Sequence, residues 1–222
     1  MKAVDKIVKE VSLFEYQELS KMFEHLEIKP QDWPVEDAKK EINMLVEKKL
    51  HLKRKYRNPT LTIIAGIPCS GKTTLTNKLV EDDREAIRIQ FDEIMECLSY
   101  YQTLLRTKGN KIAFEKCEPI ARIAGYQLLK ASLEKSLRII FEHSSAPEQH
   151  LKLYKIIKEE YKYKVRMFFL EVSLETALSR NQEGRNNNRY TDPELIKNRY
   201  AMMQELLPKY KKIIPVNILF NE

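Results

Sequence analysis

The run Gly66-Ile67-Pro68-Cys69-Ser70-Gly71-Lys72-Thr73, with Thr74 behind it, has the spacing of a phosphate cradle: a glycine, four free positions, then Gly-Lys-Ser/Thr. In such a turn backbone N–H groups converge on phosphate oxygens, and the helix that follows adds its unpaired donors and dipole. Gly66 and Gly71 are needed where a side chain would obstruct the turn or the phosphate. Lys72 should reach the transferring phosphate, and the Thr73 hydroxyl should ligate Mg²⁺. Ser70, Gly71 and Thr74 should help enclose the phosphates. Cys69 offers its backbone N–H, and the nearby helix start should lower its thiol pKa. A donor set of phosphate oxygens and Thr73 is hard, so Mg²⁺ is expected rather than zinc; His25, His51, His143 and His150 form no metal-binding pattern.

Two acidic residues and a group of arginines complete the chemistry. Asp92 falls just after an apolar strand pattern and opens a helix. It can accept or orient the proton of a substrate hydroxyl, or serve as a helix cap; Glu93 takes that place if the register differs by one. Glu142 follows Ile139-Ile140-Phe141 and resembles the acidic end of a Walker-B strand, able to orient metal-bound water or a substrate group, or to act structurally. Arg180, Arg185 and Arg189 are expected in or beside a lid near 180–191. There a guanidinium can clamp the equatorial oxygens of a transferring phosphoryl group, Arg180 and Arg189 being the preferred pair.

The elements around these residues read as alternating strands and helices. Thr60–Ala65 is a buried strand before the loop, and Leu75, Leu79 and Val80 give the following helix one apolar side. Further strands are expected at 86–91, 136–141 and 165–170 and within 213–219, with helices between them, including one from about Ala113 to Leu133. Asp192-Pro193-Glu194 has the form of a helix start. The pattern predicts a mostly parallel five-stranded sheet flanked by helices, with the ends of its strands delivering Gly66, Asp92 and Glu142 to one crevice. Residues 1–57 read as a helical appendage and 58–222 as the main domain. Within the appendage a helix runs from Val35 towards Lys55, and Trp33 reads as a packing anchor. The appendage either packs beside the sheet or docks a partner.

The bulk composition sets bounds. At 222 residues, the chain has room for one large α/β domain, or a core plus a small addition. No apolar run approaches the length of a membrane span, and the N-terminus predicts no signal segment. Three scattered cysteines exclude a disulfide framework, and a reducing, cytoplasmic location is expected. A net charge of +7 fits either nucleic acid or a phosphorylated small molecule.

The loop at 66–74, post-strand Asp92 and Glu142, and the segment from Leu170 to Arg180 together resemble small P-loop kinases, and within them the zeta-toxin family, from about Pro59 onward. That resemblance implies a P-loop kinase-like fold, with Lys72 and Thr73 as the loop pair, Asp92 serving the acceptor hydroxyl, Glu142 as the post-strand acid and lid arginines at Arg180 and Arg189. Zeta toxins phosphorylate uridine-diphosphate-N-acetylglucosamine using ATP or GTP, so the resemblance implies ATP-dependent transfer to a small-molecule hydroxyl such as a nucleotide sugar, and a protein antitoxin as a partner. Ile94 and Met95 depart from the family's basic residue after the aspartate, and Phe141-Glu142-His143-Ser144-Ser145 matches it loosely. Polynucleotide 5′-hydroxyl kinases and aminoacyl-tRNA kinases share the layout and would make RNA the partner. A nucleotide-gated switch is a further alternative, although no Asp-x-x-Gly sensor or Asn-Lys-x-Asp guanine reader is present.

Overall fold

The computed structural model describes residues 3–184 and 191–221. Three helices precede the sheet: α1 (Ala3–Ser12), α2 (Leu19–His25) and α3 (Val35–Leu50). Val4, Ile7, Val8 and Val11 line the inner face of α1, and Ala38, Ile42 and Val46 that of α3, both at helical spacing. Glu36 and Asp37 occupy the first turn of α3, at the positive end of its dipole. The helix stops at Leu50 instead of continuing towards Lys55, because His51 turns extended and Leu52 adopts a left-handed φ of 57°. Trp33 is buried between Phe23 and Tyr100, with ring centroids at 5.2 and 5.3 Å, and its Nε1–H donates to Glu41 Oε1 at 3.2 Å.

The remaining elements alternate: β1 (Thr60–Ala65), α4 (Lys72–Asp82), β2 (Ile87–Gln90), α5 (Phe91–Glu96), α6 (Ser99–Thr107), α7 (Asn110–Glu134), β3 (Ile139–Glu142), α8 (Gln149–Glu159), β4 (Lys164–Glu171), α9 (Leu174–Gln182), α10 (Pro193–Ile213) and β5 (Val216–Phe220). The strands pair in the order β2-β3-β1-β4-β5, and every pairing is parallel. β3 begins at Ile139, later than its sequence suggests, since Ser136 takes a left-handed φ of 53° after α7; Glu142 is therefore the last residue of the strand.

Strand alternation divides the core between the two faces. Leu61, Ile63, Ile139, Phe141, Val165 and Met167 join the large cluster that also takes in α7 and the N-terminal helices. Ile64, Ile140 and Leu170 face the other way and meet Leu75, Leu79 and Val80 of α4. Chain order reverses beside β1, whose neighbours are β3 and β4, so a crevice opens at its C-terminal end, where open parallel sheets bind ligands. None of the described helices is long and apolar enough to cross a membrane.

Candidate active site

The turn from β1 into α4 depends on its glycines for space. Gly71 is the N-cap of α4 with φ +90°, and a Cβ there would lie 2.4 Å from Asn221 Nδ2. That amide donates to Ser70 O at 2.8 Å, while the Asn221 backbone N–H donates to Glu171 O at 2.9 Å. The residue after β5 thus fastens the loop from the side. A Cβ on Gly66 would lie 2.6 Å from Ser70 Oγ and 2.8 Å from the backbone oxygen of Leu170. The first amides of α4 have no intrahelical acceptor, and with the dipole they make the turn an anion cradle.

Above this turn lies a cavity of about 580 Å³. Cys69, Gly71, Lys72, Thr73, Thr74, Asp92, Glu142 and Arg180 all line it, so the strand ends do bring these separated segments together. Gly66 and Ser70 sit behind the loop instead of lining the cavity, and Ser70 is fully buried. Asp92 is the second residue of α5, after the N-cap Gln90 and Phe91. Glu93 lies outside the lining and is ion-paired with Lys49 at 2.5 Å and with Arg88 at 3.0 Å. Arg185 and Arg189, and with them most of the expected lid, lie outside the described residues.

Three polar side chains converge at the foot of the cradle. The Thr73 hydroxyl donates to Glu142 Oε1 at 2.9 Å, and Gln90 Nε2 donates to Thr73 Oγ1 at 3.1 Å and to Glu142 Oε1 at 3.2 Å. Burial raises the Glu142 pKa, against the opposing pull of Lys72 and then of the Thr76 and Thr73 hydroxyls. Burial lowers the Lys72 pKa, countered by Glu142 and Asp92, and Lys72 Nζ rests on Ile67 O at 2.7 Å. Burial also pushes the Cys69 thiol up, outweighing Lys72 and Arg180, which reverses the direction expected from the helix start alone. Arg180 reaches over the loop, its Nη1 donating to Cys69 O at 3.4 Å.

The residues present suit Mg²⁺ and a triphosphate. Once Thr73 has donated to Glu142 and accepted from Gln90, one oxygen lone pair remains for a hard cation. Glu142 Oε2 is buried with only the Thr76 hydroxyl near it and no hydrogen bond of full geometry among the described residues, so the carboxylate has capacity left for an outer-sphere role. No group of three or more His, Cys, Asp or Glu side chains that could hold a metal ion by itself occurs among the described residues.

The far wall holds residues that the sequence reading missed. Phe114, Glu118 and Arg122 come from α7 and Arg199 from α10. Arg122 pairs with Glu118, one helical turn away, which in sequence looks like an ordinary surface pair. Arg199 has its pKa lowered by burial and then by the charge of Arg122. His143 also lines the cavity; its Nδ1 accepts from the Ser145 N–H at 2.9 Å, which leaves its proton on Nε2. Nothing in local sequence marks Arg199, since it depends on how a distant helix packs, whereas His143 directly follows Glu142 and its place beside the site is legible from that.

The structure is similar to one of the PezAT chromosomal toxin–antitoxin system of Streptococcus pneumoniae, at 17% identity and a TM-score of 0.66, covering 87% of this chain and 80% of that one. It is also similar to a candidate kinase from Chloroflexus aurantiacus (16% identity, TM-score 0.51, 74% and 89% covered). A third likeness is to AvrRxo1-ORF1:-ORF2 with ATP (14% identity, TM-score 0.59, 82% and 63% covered). At these identities the likeness speaks to the fold. A search of curated proteins gives no match. A match to the zeta-toxin family model supports a P-loop phosphotransferase. The zeta-toxin family model matches residues 42–218, and the chain belongs to that family.

Proposed function

We propose that this protein is a kinase that transfers the γ-phosphate of ATP, or GTP, to a hydroxyl of a small molecule, with nucleotide sugars as the acceptor class. The observation that carries this reading is that the phosphate loop and Asp92 open into one cavity of about 580 Å³. A cavity of that size, open to solvent on one side, falls within the range of small-molecule sites. Arg122 and Arg199 on its far wall suit the anionic part of a nucleotide sugar.

In this reading Lys72 leaves Ile67 O to offset charge on the transferring phosphate, and Asp92 accepts the proton of the incoming hydroxyl. Arg180, already over the loop, clamps equatorial oxygens, and Arg189 is assigned the same task from sequence. Thr73 would hold Mg²⁺ directly and Glu142 through its hydration shell. When bound, the metal would supply positive charge to offset that of the phosphates. Gly66 and Ser70 shape the loop from behind, while the backbone of Cys69, Gly71 and Thr74 encloses the phosphates.

Residues 1–57 are proposed as the appendage and 58–222 as the kinase domain with an arginine-rich lid near 180–191. A protein antitoxin is the proposed partner, by analogy with the PezAT toxin–antitoxin system, and the cytoplasm is the proposed compartment.

Incubation with γ-labelled ATP and Mg²⁺ beside nucleotide sugars, neutral alcohols and RNA tests the proposal. Label should pass to a nucleotide sugar and be lost in Asp92→Asn. Label found on RNA alone, or on none of the acceptors, would overturn it.

A further inference from the structure

The Thr73–Glu142 pair is tied to the N-terminal helices by an unbroken series of polar contacts. Gln90, at the end of β2, is buried and stands directly opposite Glu142 in the parallel register. Its Oε1 accepts from Arg88 Nη2, two residues earlier and on the same face of the strand. A guanidinium can only donate, so this contact fixes the amide: Oε1 faces Arg88, and Nε2 faces Thr73 and Glu142. Arg88 Nε is in turn ion-paired with Glu93 Oε2 at 3.0 Å, a charge contact without hydrogen-bond alignment. Glu93 Oε1 meets Lys49 Nζ, in the last turn of α3, at 2.5 Å. The series therefore runs Lys49, Glu93, Arg88, Gln90, then Thr73 and Glu142, and it crosses from the appendage to the foot of the cradle.

We propose that Gln90 is a positioning residue for the nucleotide–metal site and that α3, through Lys49 and Glu93, helps hold it in place. Hydrogen-bond capacity gives Gln90 this role. A threonine hydroxyl has one proton and two lone pairs. Here the proton goes to Glu142 and one lone pair to Gln90, so the remaining lone pair has a defined direction. Without the Gln90 donor the hydroxyl is free to rotate about its bond to Glu142. The same amide also donates to Glu142 Oε1 and supports a buried carboxylate whose burial disfavours its charge. Glu93 neighbours Asp92 in the first turn of α5, so its anchorage on Lys49 also restrains the segment that carries Asp92. On this view the N-terminal helices are part of the catalytic apparatus, and a partner that displaced α3 would reach the site through this series.

The proposal rests on the kinase reading, and calorimetric titration of ATP over a range of Mg²⁺ concentrations separates the two. If the unsubstituted protein shows no Mg²⁺-dependent ATP binding, both the kinase reading and this proposal fail. If it binds, Gln90→Met should raise the Mg²⁺ needed for tight binding by about 10-fold, with metal-free ATP affinity and melting temperature little changed; outer partners of metal ligands commonly have effects of this size. Arg88→Met, which releases the amide without touching the buried cluster, should shift the requirement in the same direction and covers the case in which Gln90→Met fails to fold. Lys49→Met should give a smaller shift that Lys49→Arg restores. An unchanged Mg²⁺ requirement in both Gln90→Met and Arg88→Met, or in Arg88→Met alone if the first does not fold, overturns the role of Gln90. An unchanged requirement in Lys49→Met overturns the part given to α3.

Discussion

The hydroxyl of Thr73 donates to Glu142 Oε1 across 2.9 Å, joining the first turn of α4 to the last residue of β3. The contact exists because β1 and β3 are adjacent and parallel, with Ile64 opposite Glu142, so the end of β3 lies beside the turn that leaves β1. The sheet register therefore decides which acidic group meets the loop. Lys72 and Glu142 each suffer from burial and each eases the other's ionisation, which makes the pair the electrostatic centre of the cradle.

Replacing Glu142 by glutamine should expose that mutual support. Losing the carboxylate removes the largest influence that raises the Lys72 pKa, so Lys72 should give up its proton at lower pH than before. Lys72 works as a cation, and the sign follows: the alkaline limb of the transfer rate should move to lower pH, and ATP should bind more weakly in the presence of Mg²⁺, by about 10-fold. A pH–rate profile alongside titration of nucleotide measures both. A profile identical to that of the unsubstituted protein would remove Glu142 from the proposed site.

Asp92→Asn should leave ATP affinity near its original value and lower phosphoryl transfer by about 100-fold or more, the usual scale for losing a general base. The side chain is the second residue of α5 and lines the cavity, with Gln90 in the capping position. Comparing single-turnover transfer with equilibrium nucleotide binding separates the acceptor role from a structural one. Full activity with asparagine would leave Asp92 a helix-stabilising residue only.

Gly71→Ala should act through two separable causes. The left-handed φ costs an alanine about 1–2 kcal/mol, and the added Cβ would strike the Asn221 amide at 2.4 Å. Asn221→Ala alone should loosen the loop by removing the donor to Ser70 O. In the Asn221→Ala background, Gly71→Ala should cost only the backbone part, and urea denaturation of the four proteins in the cycle gives the coupling. Strict additivity would mean that the added Cβ does not meet the Asn221 side chain, and unchanged stability in Asn221→Ala alone would mean that Asn221 does not restrain the loop.

Much of the architecture was legible because its signals are local. The cradle is one contiguous run, Leu75, Leu79 and Val80 announce the face of α4 that packs on Ile64 and Ile140, and the apolar runs before Asp92 and Glu142 mark two of the strands. What could not be read depends on register and crossing. Gln90 becomes a partner of Thr73 only because β2 sits beside β3, and Arg199 enters the cavity only because α10, packed on α8 and α9, brings it near Arg122 and Glu118 of α7. Glu93 and Asp92 are neighbours in sequence, yet a short helix turns one to Lys49 and the other to the cavity, a distinction that periodicity over so few residues does not make. The left-handed residues Ser136 and Leu52 moved two boundaries, and neither is of a type whose presence announces a turn as glycine does.

The histidines behind the cavity should make the fold acid-sensitive. His143 and His150 lie with ring centroids 4.3 Å apart, and His150 Nε2 meets the Tyr126 hydroxyl at 2.8 Å. Burial pushes His150 from 6.5 down to about 3 and carries His143 well below its ordinary value, with the charges of Arg122 and Arg199 adding to both shifts. A folded pKa below the unfolded one means that the unfolded chain binds the extra proton first. Stability is therefore complete above about pH 6.5 and is lost as pH falls from there towards 3. At pH 5 the loss from His150 alone should be about 2 kcal/mol, from roughly 1.4 kcal/mol per pH unit. Urea denaturation at pH 7 and pH 5 measures it, and His150→Phe should flatten the dependence while giving up the bond to Tyr126. A pH dependence as steep in His150→Phe as in the unsubstituted protein would show that this histidine is not held neutral.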